Sequence, residues 1–182
     1  PSISTEVWAP IWAAKALGRI GASDRAADLV PLLDLDDDGN AGFLSEVFSG
    51  FGEPALAPLA AYVQDHTRWT YSRTQAIELI DELVDAHPEL RDRVVQIYTT
   101  ALKDATNNES VYNGMLLAGL LQLKAIESLP VIRQAFEDQA IELEIAGDWP
   151  EVLEELGLPV DPSDPLVQEA YERADLDQSD EW

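Results

Sequence analysis

Four stretches of this chain repeat one pattern, and a fixed period constrains a fold more tightly than any single motif. Residues 17–33 read L-G-R-I-G-A-S-D-R-A-A-D-L-V-P-L-L, residues 48–60 read F-S-G-F-G-E-P-A-L-A-P-L-A, and residues 120–132 read L-L-Q-L-K-A-I-E-S-L-P-V-I. Each begins as a helix closing on an apolar residue, turns tightly at Gly21, Gly52 or Lys124, and continues as a second helix with its own apolar stripe. Residues 82–97, E-L-V-D-A-H-P-E-L-R-D-R-V-V-Q-I, form a version that turns through His87-Pro88. The turns are spaced in the thirties of residues, which is the period of stacked helix pairs.

The local chemistry agrees with that reading. Gly21 and Gly52 stand where a helix stop needs a left-handed residue, which glycine supplies without a steric penalty. Pro54 and Pro88 fall in the first turn of the following helix, where a missing N–H costs nothing. Pro31, Pro58 and Pro130 lie deeper and are expected to bend their helices or to sit near a delayed start. Apolar residues recur at three- and four-residue intervals at Leu56, Leu59, Ala60 and Val63, at Leu90, Val94, Ile97 and Ala101, and at Leu129, Ile132 and Phe136. No segment alternates apolar and polar residues for long enough to be a strand, so the expected class is all-α. The predicted helices cover residues 5–19, 24–34, 42–51, 54–65, 72–86, 88–105, 110–123, 126–139, 149–156 and 163–175. The expected organisation is an α-α superhelix of about four helix pairs over residues 1–158. An acidic, apolar-poor C-terminal cap or tail, with a short helix, follows over residues 159–182.

At these residues the chain resembles the HEAT-like repeats of the phycobilisome-lyase type, whose unit runs aliphatic-Gly-acid-Pro-x-Ala-aliphatic-Pro-x-Leu. Residues 52–59, G-E-P-A-L-A-P-L, carry the resemblance best, followed by K-A-I-E-S-L-P-V-I at 124–132. Over residues 9–158 the chain is also similar to a group of bacterial HEAT-like proteins. The shared features are H-P-E-L-R-D at 87–92, N-G-M-L at 113–116 and I-A-G-D-W-P-E-V-L-E-E-L-G-L at 145–158. The resemblance implies a stacked-helix fold. In the wider family some members are scaffolds, some help attach bilins to phycobiliproteins, and some distant relatives act on damaged DNA.

Charge restricts the partners. The net charge is −24, from 35 acids against 11 bases. A surface with that field repels phosphate backbones and anionic headgroups, so neither nucleic acid nor a membrane surface is an expected partner. The excess is concentrated late in the chain: residues 139–182 hold fourteen acids and one base, Arg173. That acidity reads as solvated surface, as a site for a basic protein partner, or as adaptation to high salt. No apolar run approaches the ~20 residues of a membrane span, and no secretory-type segment opens the sequence. A cytoplasmic location is the expectation, although a first residue of proline leaves a lost targeting segment open. The absence of cysteine excludes disulfides, thiolate metal sites and a thiol nucleophile.

Among chemical motifs, D-L-D-D-D-G-N-A-G-F-L-S-E at 34–46 invites comparison with a calcium loop. Asp34, Asp36, Asp38 and Gly39 occupy ligand positions one, three, five and six, but position twelve is Ser45 and the glutamate comes one residue late. The stretch reads better as an acidic loop between helix pairs, with Asp34, Asp36 and Asp38 a weak candidate metal site. His66 and His87 have no partner at helical spacing and read as loop surface and turn chemistry. No nucleophile elbow, catalytic triad or phosphate loop is present. No cofactor is implied.

The remaining candidate is R-W-T-Y-S-R at 68–73, because aromatic residues beside arginines are the chemistry of protein-binding hot spots. Arg68, Trp69, Tyr71 and Arg73 are the expected partner-binding residues, and Trp69 reads alternatively as packing beneath the loop that opens the third helix pair. Trp8 and Trp12 are expected to cap the N-terminal end. Trp149 is expected to close the C-terminal core, with Asp148 capping its helix. The functional expectation is a non-enzymatic scaffold for a protein partner with a basic contact region. The alternative is a subunit or chaperone for bilin attachment, which needs an aromatic-lined groove bearing an arginine or acid.

Overall fold

The corners set where each helix stops, and the computed structural model, which describes residues 9–34 and 40–179, divides them into two kinds. At Gly21 (φ +66°) the Ala22 N–H donates to Leu17 O at 3.0 Å and the Gly21 N–H to Gly18 O at 3.1 Å. Lys124 (φ +50°) repeats this pattern, Ala125 donating to Leu120 O at 3.0 Å and Lys124 to Leu121 O at 2.9 Å. Both are the paired-bond stop that satisfies two last-turn carbonyls. The next residues, Ala22 and Ala125, have nearly the same dihedrals, and each leads into a single 3-10 turn, Ser23–Arg25 and Ile126–Ser128. A lysine in the left-handed region is strained. Its Nζ donates to Glu155 O at 2.8 Å and also meets the Glu155 carboxylate.

Gly52, left-handed as expected (φ +66°), and His87 form the second kind. Here the corner carbonyl accepts from three residues on, Ala55 N to Gly52 O at 2.9 Å and Leu90 N to His87 O at 3.0 Å. His87 keeps a negative φ of −132°. Pro88 disfavours the helical region for the residue before it, which turns the chain without a left-handed step. The two corners also touch: His87 Nε2 donates to Ser49 O at 2.8 Å, and a Cβ on Gly52 would lie 3.3 Å from the imidazole.

All regular structure among the described residues is helical. The helices are α1 (Ala9–Arg19), α2 (Ala26–Leu29), α3 (Asn40–Phe51), α4 (Glu53–Val63), α5 (Thr70–Ala86), α6 (Arg91–Leu102), α7 (Ser110–Gln122), α8 (Leu129–Glu137), α9 (Leu143–Ala146), α10 (Trp149–Glu155) and α11 (Pro165–Ser179). None is long and apolar enough to cross a membrane. The expected helix over 24–34 is instead a 3-10 turn, the four-residue α2, and a second 3-10 stretch, Val30–Asp34. Pro31 explains the break, since it lacks an N–H and its ring crowds the carbonyl four residues back. Pro58 is accommodated inside α4, and Pro130 sits in the first turn of α8, which begins late, after its 3-10 turn. The predictions contain no helix over 143–146, where α9 lies.

The chain forms two compact units, Pro1–Val94 and Val95–Trp182. In the first, α1 packs on α3 and α3 on α5, while α2 packs on α4 and α4 on α5. Leu44, Phe48, Leu56, Leu59, Ile77, Ile80 and Leu83 are fully buried between them. Each such side chain contributes ~1.5–3 kcal/mol by leaving water. Trp12 in α1 is 65% exposed, with Lys15 Nζ 5.7 Å from its ring, and Trp8 lies outside the described residues.

In the second unit α7 packs on α9 at Gly114, where an added Cβ would stand 3.2 Å from Glu142 O and 3.1 Å from Ile145 Cβ. Asn113, its neighbour, is fully buried with both polar atoms bonded. Glu151 and Asp148 form a reciprocal cap on α10, the Glu151 N–H donating to Asp148 Oδ1 at 3.1 Å and the Asp148 N–H to Glu151 Oε2 at 2.9 Å. The acidic end expected as a cap or tail contains α11, which packs on α10 and buries Val167 and Ala170.

Asp164 fixes the start of α11. Its Oδ1 accepts from Leu166 N at 3.1 Å, as an N-cap does, and its two oxygens accept from Arg133 Nη1 and Nη2 at 2.7 and 3.0 Å. Trp149 Nε1 donates to Oδ2 at 3.3 Å. The hydrogen bonds from Arg133 hold the Asp164 carboxyl below the usual carboxylate range. A carboxyl depressed in the folded state contributes stability above its unfolded pKa of about 3.9 and loses it as pH falls through the folded value. The urea midpoint of the wild type is therefore expected to fall more steeply below about pH 4 than that of Asp164→Asn, whose deficit is largest at neutral pH. Parallel pH profiles for the two proteins would show that the pair contributes nothing through ionisation.

Candidate functional site

The link between α4 and α5 is built around Asp65. Its Oδ1 accepts from Thr67 N at 3.0 Å and from Thr67 Oγ1 at 2.6 Å, closing a side-chain turn. The Thr67 hydroxyl and amide hydrogen bonds lower the Asp65 pKa. The remaining oxygen, Oδ2, accepts from Arg68 Nε at 3.1 Å. Arg68 then reaches a second carboxylate, Nη1 donating to Asp34 Oδ2 at 2.5 Å, and lies over the Tyr62 ring at 5.2 Å. Tyr62 donates its hydroxyl to Asp34 Oδ1 at 2.5 Å. Burial, and then the hydrogen bond to Asp34, push the Tyr62 phenol up to about 12, so it stays a donor across the ordinary pH range.

This lattice presents two aromatic rings to solvent. Trp69, the residue before α5, is 61% exposed, and Tyr71 in the first turn is 45% exposed. Their ring centroids lie 5.2 Å apart at 44°. Trp69 does not pack beneath the loop. Arg73 takes the opposite course from the role expected for it: only 3% exposed, it turns inward and its Nε donates to Val63 O, at the end of α4, at 2.9 Å. Of the four expected partner-binding residues, the structure brings Arg68, Trp69 and Tyr71 together on the surface and puts Arg73 inside. Sequence reasoning missed Tyr62, Asp34 and Asp65 as the supports of this patch. Their only signal was one acid ahead of α3, Asp34, and one in the link after α4, Asp65.

The calcium-loop reading over 34–46 falls in part on residues 35–39, so Asp36 and Asp38 lie outside the described residues. Asp34, which is described, has each carboxylate oxygen engaged by Tyr62 or Arg68. Among the described residues no group of three or more His, Asp or Glu side chains is placed to hold a metal. Chemically, the patch offers area and hydrogen bonding on a pre-set backbone, and no nucleophile with a base. Compared with family models, with curated proteins and with solved structures, the chain finds no match.

Proposed function

We propose that this chain is a non-enzymatic scaffold of HEAT-like helix pairs that binds a protein partner through a basic, aromatic-accepting contact region. The observation that carries the reading is the exposed Trp69–Tyr71 pair held on the Asp65–Arg68–Asp34 lattice. Large rings fixed before binding lose little entropy when a partner covers them, which is the property of a hot spot. The stacking of α1 on α3 on α5, with α2 on α4, supports a superhelical arrangement in the first unit, and the matching corners at Gly21 and Lys124 support one repeated helix-pair turn. The net charge of −24 supports a basic partner, whose approach it accelerates.

Titration of labelled Lys/Arg-rich peptides, each carrying one or two apolar side chains and followed by fluorescence anisotropy, tests the reading. Binding should weaken several-fold as salt is raised from about 50 to 300 mM. It should fall at least tenfold in the Trp69→Ala/Tyr71→Ala double variant, whose unfolding free energy stays within about 1 kcal/mol of wild type. Binding indifferent to salt removes the electrostatic half of the proposal, and binding indifferent to both truncations removes the site.

A further inference from the structure

The second unit contains a cavity of about 340 Å³ walled by α8, the segment leading into α9, the start of α10 and one face of α11. The buried side chains of Phe136, Ile141, Trp149 and Ala170 form its apolar floor, with Phe136 and Trp149 in edge contact at 5.5 Å. The more exposed lining at its mouth is charged, with Asp148 before α10 and Glu169 and Arg173 on α11. The volume sits at the lower end of the ~300–1,000 Å³ typical of ligand sites, enough for one ring and a short chain. Arg173 does not make the mouth cationic, because its Nη2 lies 3.3 Å from Glu169 Oε1 and the two charges offset each other. Arg133, behind Trp149, is likewise held by Asp164 and Glu137. Asp148, whose Oδ1 caps α10 by accepting from Glu151 N, is paired with no cation among the described residues, and it lies within a segment, 139–182, of fourteen acids and one base. An apolar floor beneath an anionic mouth is complementary to an apolar body that carries a positive charge.

We propose that this cavity binds a small organic cation, a single aromatic or branched aliphatic body bearing a protonated amine. The body occupies the floor against Phe136 and Trp149, and the ammonium stands at the mouth facing Asp148, with Glu169 keeping the Arg173 charge offset. This site is separate from the Trp69 patch, and either can fail without the other.

Phenethylammonium is the probe, with phenylacetate and 2-phenylethanol as controls of the same body and opposite or no charge, read by isothermal titration and saturation-transfer NMR. The amine should bind with a Kd of about 1 mM or tighter, at least tenfold better than the alcohol, and the carboxylate should not bind. Ala170→Leu, which fills the floor, should abolish binding while helical circular dichroism is retained. Glu169→Gln, at an exposed position that leaves the fold intact whatever Ala170→Leu does, should weaken it at least threefold. Equal binding of all three probes, preference for the carboxylate, no amine binding by about 10 mM, or binding unchanged in Glu169→Gln would each overturn the proposal.

Discussion

Replacing Trp149 by alanine is expected to destabilise the second unit by about 4 kcal/mol, among the largest losses a single truncation in this chain can cause. The indole is 3% exposed, packs edge-on against Phe136, lies beneath the Arg133 guanidinium at 5.4 Å and donates to Asp164. Truncation removes the apolar burial, leaves a void beside the cavity, and takes one donor from the carboxylate that starts α11. Equilibrium urea unfolding followed by circular dichroism at 222 nm measures the loss. Hydrogen exchange should show the amides of α11 losing protection before those of α7. The same truncation at Trp69, 61% exposed, is expected to cost within about 0.5 kcal/mol, and that contrast is the internal control. A Trp149→Ala protein with a near-wild-type midpoint would mean that α11 is held by something other than this cluster.

The two tryptophans show what could be read from the sequence and what could not. D-W-P-E announces a helix start through its capping acid, its proline and the glutamate that answers the cap, and all three are local signals. Those signals put Trp149 at the first helical position, where an apolar side chain must fold back onto whatever closes the end. R-W-T-Y-S-R contains no such instruction. The surroundings of Trp69 include Asp34, far away in sequence, whose carboxylate accepts from Arg68 where the guanidinium lies over Tyr62. Arg73 fails for a related reason. Its charge suggested surface, yet the last turn of α4 leaves Val63 O to be satisfied, and the long guanidinium stem reaches it from within. Corners and prolines act over four or five residues, so Gly21, Lys124, Pro54 and Pro88 were legible. The break at Pro31 was legible only in part, because the balance between a bent α-helix and successive 3-10 turns depends on tertiary packing. α9 was not legible at all: its four residues carry no cap and no period, and it exists because Gly114 lets the 142–146 backbone lie against α7.

Asn113 makes a sharper test of the second unit than any apolar truncation, because Asn113→Asp changes almost no volume. The side chain is 0% exposed. Its Nδ2 donates to Ala105 O at 2.9 Å and to Ala140 O at 2.8 Å, and its Oδ1 accepts from Asn108 Nδ2 at 2.9 Å. One amide thus ties the turn before α7, α7 itself and the segment before α9. In Asn113→Asp an oxygen replaces the nitrogen and faces two carbonyl oxygens, so at neutral pH a charge is buried with only one donor to answer it. The expected cost is about 4 kcal/mol or more. Asn113→Leu, which removes the hydrogen bonds without adding charge, is expected to cost about 2–3 kcal/mol. The two variants part with pH. The new carboxyl is easier to protonate folded than unfolded, so its deficit is full well above the folded-state pKa and shrinks as pH falls, whereas the leucine deficit stays constant. Urea midpoints for the three proteins from pH 7 down to about pH 4 would show this convergence. An aspartate variant as stable as wild type at pH 7 would mean that water reaches the amide, and that α7 and α9 are held together by the close approach at Gly114 and the Ser110–Glu142 hydrogen bonds.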